Sequence, residues 1–146
     1  MIKQGEIEMY KLKNGNIVPK QGIGNLMLGM SFDEIKNIVK DFEIKNLKSV
    51  FVVVCDDVKL WIDNETMKCT QILVTGDFTG KFNNKIGLGM TLGEIEKLGY
   101  EWYEDLYAYF IKDIDGICLE LGDTEEDEEW DDLTVPIAHI SVFNKN

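Results

Sequence analysis

The chain repeats itself, and the repeat limits its possible folds more than any other feature. Leu28-Gly29-Met30-Ser31 returns as Leu88-Gly89-Met90-Thr91 at an offset of 60, and Glu34-Ile35 returns as Glu94-Ile95 at the same offset. Further on the alignment runs at an offset of 59, with Phe51-Val52 against Phe110-Ile111, and with Val58, Leu60 and Ile62 against Ile117, Leu119 and Leu121. Ile72 and Val74 then align with Ile140 and Val142 at an offset of 68. The second copy therefore carries about nine extra residues ahead of its last strand. Self-similarity of this kind is the mark of one supersecondary unit used twice.

Each copy opens on a helix-start signal. Ser31 and Thr91 are N-cap residues with a glutamate three positions later, so hydroxyl and carboxylate each satisfy an orphan backbone N–H. The first helix is predicted over about 32–40 and the second over about 92–98, with Gly99 as the residue that ends it. A hairpin follows in each copy. In the first, residues 49–54 and 58–63 flank Asp56-Asp57; in the second, residues 106–112 and 117–122 flank Asp115-Gly116, a type I′ signal. The returning strands alternate cleanly, so each has one buried and one wet face. A third strand closes each unit, at 68–75 and 137–143, and residues 6–13 ahead of Asn14-Gly15 read as an added strand.

The expected fold is α+β: two helix-strand-strand-strand units forming one antiparallel sheet with both helices on one face. The expected organisation is an N-terminal extension over 1–20, a first unit over 21–80 and a second over 81–146, sharing one compact domain.

Charge bears on function. The net charge is −12, and all 15 basic residues are lysine. A chain with no arginine lacks the preferred bidentate ligand for phosphate and guanine, which argues against nucleic acid. The same field attracts a basic protein partner. Asp123, Glu125, Glu126, Asp127, Glu128, Glu129, Asp131 and Asp132 form one run that supplies eight of the negative charges, with Trp130 inside it. The run reads in three ways: a solvated loop, a docking element anchored by Trp130, or a calcium loop. It lacks the alternating ligands of an EF-hand. Among the aromatic residues Tyr100, Trp102, Tyr103, Tyr107, Tyr109 and Phe110, the stretch 100–103 has no strong counterpart in the first copy, and Trp102 and Tyr103 within it are a second candidate interface.

Other features favour plain readings. Cys55, Cys69 and Cys118 are far apart and odd in number, so they are expected to be reduced and packed. Gly22-x-Gly24 and Gly87-x-Gly89 do not complete a nucleotide-loop motif. His139 stands alone on a strand, with no second histidine for a triad or zinc site. Residues 1–14 alternate charge without an apolar stretch, so no signal peptide is expected, and no segment reaches membrane-spanning length. No cofactor, metal or catalytic residue is expected, and the expected location is cytoplasmic.

The segment Gly29-Met30-Ser31-Phe32-Asp33-Glu34-Ile35 resembles the helix start of small bacterial proteins of the SmpA/OmlA and β-lactamase-inhibitor-protein type. In the latter, tandem helix-plus-sheet units form a concave sheet that binds an enzyme. The chain also resembles small cytoplasmic immunity proteins of bacterial toxin loci. The resemblance implies a non-enzymatic inhibitor that neutralises a basic toxin domain such as a nuclease. The alternative is a structural or regulatory domain with an unknown ligand.

Overall fold

The capping chemistry sets the helix at the head of each copy. The structure is a computed structural model and describes Leu12, residues 14–122 and residues 130–144. Helices α1 (Phe32–Ile35) and α2 (Leu92–Lys97) each open on a complete capping box. The Ser31 and Thr91 hydroxyl oxygens accept from the N–H of Glu34 and Glu94 at 3.2 Å, and each glutamate accepts from its cap's N–H. Gly29 and Gly89 hold φ of 87° and 89°, a conformation that a side chain resists. The backbone around them repeats bond for bond. Gly29 N–H donates to the Cys69 carbonyl and Cys69 N–H to that of Met30, both at 2.8 Å. Gly89 and Ile137 make the matching pair with Ile137 and Met90 at 2.9 and 2.7 Å.

The helices end differently. At α2, Gly99 has φ of 97°, and the N–H groups of Gly99 and Tyr100 donate to Glu96 and Ile95, a Schellman closure. By contrast α1 stops at Ile35, short of the predicted end near Lys40, and the chain goes on only in turns. Asn37, Ile38 and Val39 are weak helix formers, yet Val39 is still fully buried.

The fold is mainly β, which corrects the α+β expectation. Strands make up 42% of the structure and helices 9%. The strands of the first sheet are β1 (Ile17–Val18), β2 (Gly22–Ile23) and β3 (Leu26–Met27). Those of the second are β4 (Glu43–Asn46), β5 (Val50–Cys55), β6 (Val58–Asp63), β7 (Cys69–Thr75), β8 (Trp102–Asp105), β9 (Ala108–Ile111), β10 (Ile117–Leu121) and β11 (Ile137–Phe143). Both sheets are antiparallel. The expectation overcounted helix and missed strands that have no buried face. β4 is exposed at every position and β8 at all but Trp102, so neither offers an alternation to read. Each unit is therefore a short helix with four strands, not three. The small sheet went unread because its strands are only two residues long. Its Gly22 is required by packing, since a Cβ there would sit 2.1 Å from the Leu26 carbonyl oxygen.

The large sheet runs β4-β5-β6-β7-β11-β10-β9-β8. The two copies thus meet at its centre through their last strands. Leu73 pairs with Ser141, and the sequence offset of 68 aligns the same two residues. Ile72 pairs with Val142 and Val74 with Ile140, so a local two-fold axis passes through the Leu73–Ser141 pair. One apolar cluster spans both copies, with Ile35, Leu60, Ile72, Ile95, Leu119 and Ile140 among its fully buried members. The added strand expected at 6–13 lies outside the described residues apart from Leu12, which is helical rather than extended and is buried in that cluster.

The register corrects one alignment. Leu60 faces Val53, and its counterpart Leu119 faces Tyr109. Tyr109 therefore matches Val53, and Phe110-Ile111 does not match Phe51-Val52. The cause is loop length. Asp56-Asp57 joins Cys55 to Val58, whereas residues 112–116 join Ile111 to Ile117. Asp115-Gly116 is thus part of a five-residue loop, not a two-residue turn. The Gly116 carbonyl accepts from Lys20 and Phe143.

Candidate functional site

The turn between β8 and β9 has no turn residues in it. Asp105 pairs with Ala108, leaving Leu106-Tyr107 as a two-residue connection. Two-residue connections that match the strand twist need positive φ, which Asn-Gly or Asp-Gly supplies cheaply. Here Leu106 and Tyr107 adopt φ of 51° and 68°. A bulky residue in that region costs about 1–3 kcal/mol. Neither recovers the cost by packing, since Leu106 is 88% and Tyr107 91% exposed.

Beside this turn lies the exit of the acidic run. Of the acidic candidates, Asp131 and Asp132 are described, whereas Asp123, Glu125, Glu126, Asp127, Glu128 and Glu129 lie outside the described residues. Asp131 organises a tight turn: its carboxylate accepts from Leu133 N–H at 3.0 Å and its carbonyl from Thr134 and Val135. The Leu133 carbonyl then accepts from Gly93 N–H at 3.2 Å, which ties the loop to the first turn of α2. Trp130 is 53% exposed and its indole N–H donates to Asp132.

Trp130 and Tyr107 both line a cleft of about 400 Å³, together with Tyr109, Glu104, Glu120, Leu121 and Gly122. Tyr109 forms the cleft's inner wall and is only 2% exposed. Burial raises its pKa most, and the Glu104 and Asp132 carboxylates near its hydroxyl raise it further. Two carboxylates, one from a strand and one from a loop, therefore converge on one phenol.

The pair Trp102 and Tyr103 does not belong to this group. Successive strand residues point to opposite faces. Trp102 turns toward the core, its ring centroid 5.6 Å from that of Tyr109 and its indole N–H on Glu96 at 3.3 Å. Tyr103 turns the other way and stacks on Phe110 at 5.4 Å. The sequence reading placed Tyr107 within a strand and passed over Glu104 and Glu120. A turn signal would have separated Leu106-Tyr107 from the strands, but none is present.

The remaining candidates hold no chemistry of this kind. Burial pushes the Cys69 thiol up to about 12, and burial with Glu120 nearby pushes Cys118 up to about 11. Both are thiols, not thiolates, at neutral pH. All three cysteines are free. His139 lies in β11 between Glu120 and Thr75. Among the described residues no group of three or more His, Cys, Asp or Glu side chains is placed to hold a metal, and no helix is long and apolar enough to cross a membrane. No family model, characterised protein or solved structure matches the chain.

Proposed function

We propose that the chain is a non-enzymatic binding protein that captures a basic protein partner in the cytoplasm, in the manner of an immunity protein that neutralises a toxin domain. One observation carries this reading: an exposed aromatic pair, Tyr107 and Trp130, lines a cleft that Glu104 also lines. Aromatic anchors within a field of one sign suit an interface in which charge sets the on-rate and buried rings set the off-rate. The net charge of −12 supplies long-range attraction for the same kind of partner.

The test is binding kinetics with the basic partner recovered from the native host, at several salt concentrations. Changing Glu125, Glu126, Glu128 and Glu129 together to glutamine should slow association and flatten its salt dependence, since the Debye length falls from about 10 Å at 0.1 M to about 3 Å at 1 M. Trp130→Ala should act mainly on dissociation, with a loss of about 2 kcal/mol. If both variants bind like the parent, the acidic segment is a solubilising surface and the proposal fails.

A further inference from the structure

The cleft is more specific than an acidic surface needs to be. Its lining includes the aromatic residues Tyr107, Tyr109 and Trp130 together with Glu104. Ring faces attract cations, most strongly where water is partly excluded. The Glu104 and Asp132 carboxylates both lie near the Tyr109 hydroxyl, which brings two like charges together. The ion pairs among the described residues lie elsewhere, at Lys20–Asp115, Lys36–Asp33 and Lys112–Glu101. Like charges gathered around aromatic walls are complementary to a cation brought from outside.

We propose that this cleft receives a guanidinium group, the arginine side chain of the basic partner described above; the inference rests on that reading and deepens it. Arginine suits the site better than lysine. Its planar fork donates to two carboxylates at once and stacks on a ring face, whereas an ammonium is a compact and strongly hydrated point charge. The chain contains no arginine, so the group must come from another molecule. The strained turn fits the same purpose. It fixes Tyr107 beside the cleft at positive φ, where a glycine would relieve the backbone but remove the wall.

The experiment uses the full chain and small probes: N-acetylarginine methylamide, its lysine counterpart, and its citrulline counterpart as a neutral isostere. Titrations follow the indole N–H resonances by NMR. The arginine probe should shift the Trp130 indole signal and saturate, the lysine probe should bind more weakly, and the citrulline probe should not bind. Asp132→Asn and Tyr107→Gly should each weaken the arginine probe, by about tenfold for loss of a charge-assisted or cation–π contact of ordinary strength. Tyr107→Gly also guards against misfolding as an explanation, because it relieves backbone strain. Equal shifts with citrulline, lysine binding as tight as arginine, shifts that never saturate, or variants that bind like the parent would each overturn the proposal. A partner that binds tightly to a chain whose cleft ignores the arginine probe would remove the cleft from the binding reading and leave that reading standing. A cleft that takes the probe in a chain with no basic partner would do the reverse.

Discussion

In the first copy, residues 47–49 join β4 to β5 and residues 64–68 join β6 to β7; in the second, the corresponding joins are Leu106-Tyr107 and residues 122–136. The first pair of loops closes on itself. Asn64 N–H donates to the Ser49 carbonyl at 3.1 Å, and the Asp63 carboxylate accepts from Glu65 and Thr66 N–H at 2.8 and 3.0 Å. Those backbone donors, Thr66 before Glu65, hold the Asp63 carboxyl below its ordinary value. The second pair is more exposed: both residues of its short turn, Leu106 and Tyr107, hold positive φ, against Met67 alone in the first pair, and Leu106, Tyr107 and Trp130 stand in water. The core and the capping boxes are common to both copies. Where a framework is shared and one end differs, the plain version shows what folding requires.

The largest expected effect tests the shared part. Leu60→Ala and Leu119→Ala each empty a fully buried position of the common cluster. Each should cost about 2–5 kcal/mol, and both should lower a single cooperative denaturant transition. Two separate transitions would break the equivalence of the copies.

A smaller effect of opposite sign tests the strained turn. Tyr107→Gly should stabilise the chain by about 1 kcal/mol, which at this size raises Tm by about 2–4 °C. The same change at Leu47, in the matching loop of the first copy, should not stabilise, because Leu47 is not at positive φ. A melting curve in which Tyr107→Gly is less stable than the parent would show that the ring contributes to the fold, and the contrast between the two loops would lose its force.

Physical terms also explain which parts of this contrast were legible in the sequence. The capping boxes were, because Ser31 with Glu34 and Thr91 with Glu94 act within four residues. So were Leu60 and Leu119, which alternate along strands with one buried face. The edge strands were not, because Glu43-Ile44-Lys45-Asn46 buries nothing that would impose a period. The match of Tyr109 to Val53 was hidden by the longer loop before β10, which shifts the register by three residues. Trp130 stood out by its acidic neighbours. Tyr107 did not, because its backbone conformation is the opposite of what its residue type favours.

The smallest effects are two opposed pH dependences. Asp63 has a lowered pKa, so its contribution to stability is present above its ordinary value of 3.8 and is lost as pH falls through the lower folded value. Tyr109 has a raised pKa, so its contribution is full below 10 and is lost as pH climbs through the higher folded value. Asp63→Asn should therefore flatten only the acid limb of a stability–pH curve, and Tyr109→Phe only the alkaline limb. An unchanged alkaline limb in Tyr109→Phe would remove the convergence of Glu104 and Asp132 on that hydroxyl.

The Leu73–Ser141 pairing has an evolutionary consequence. A strand edge that accepts its own duplicate across a two-fold axis is self-complementary, so each half offers the other the surface it would offer a twin. An ancestor half this length could have closed its sheet by forming a homodimer, with both ends of the sheet identical. Joining the two genes end to end would have freed one end to diverge while the other kept the original sequence constraints. A symmetric dimer cannot do this, since every substitution appears at both ends at once. Within one chain the two ends of the sheet are free to differ.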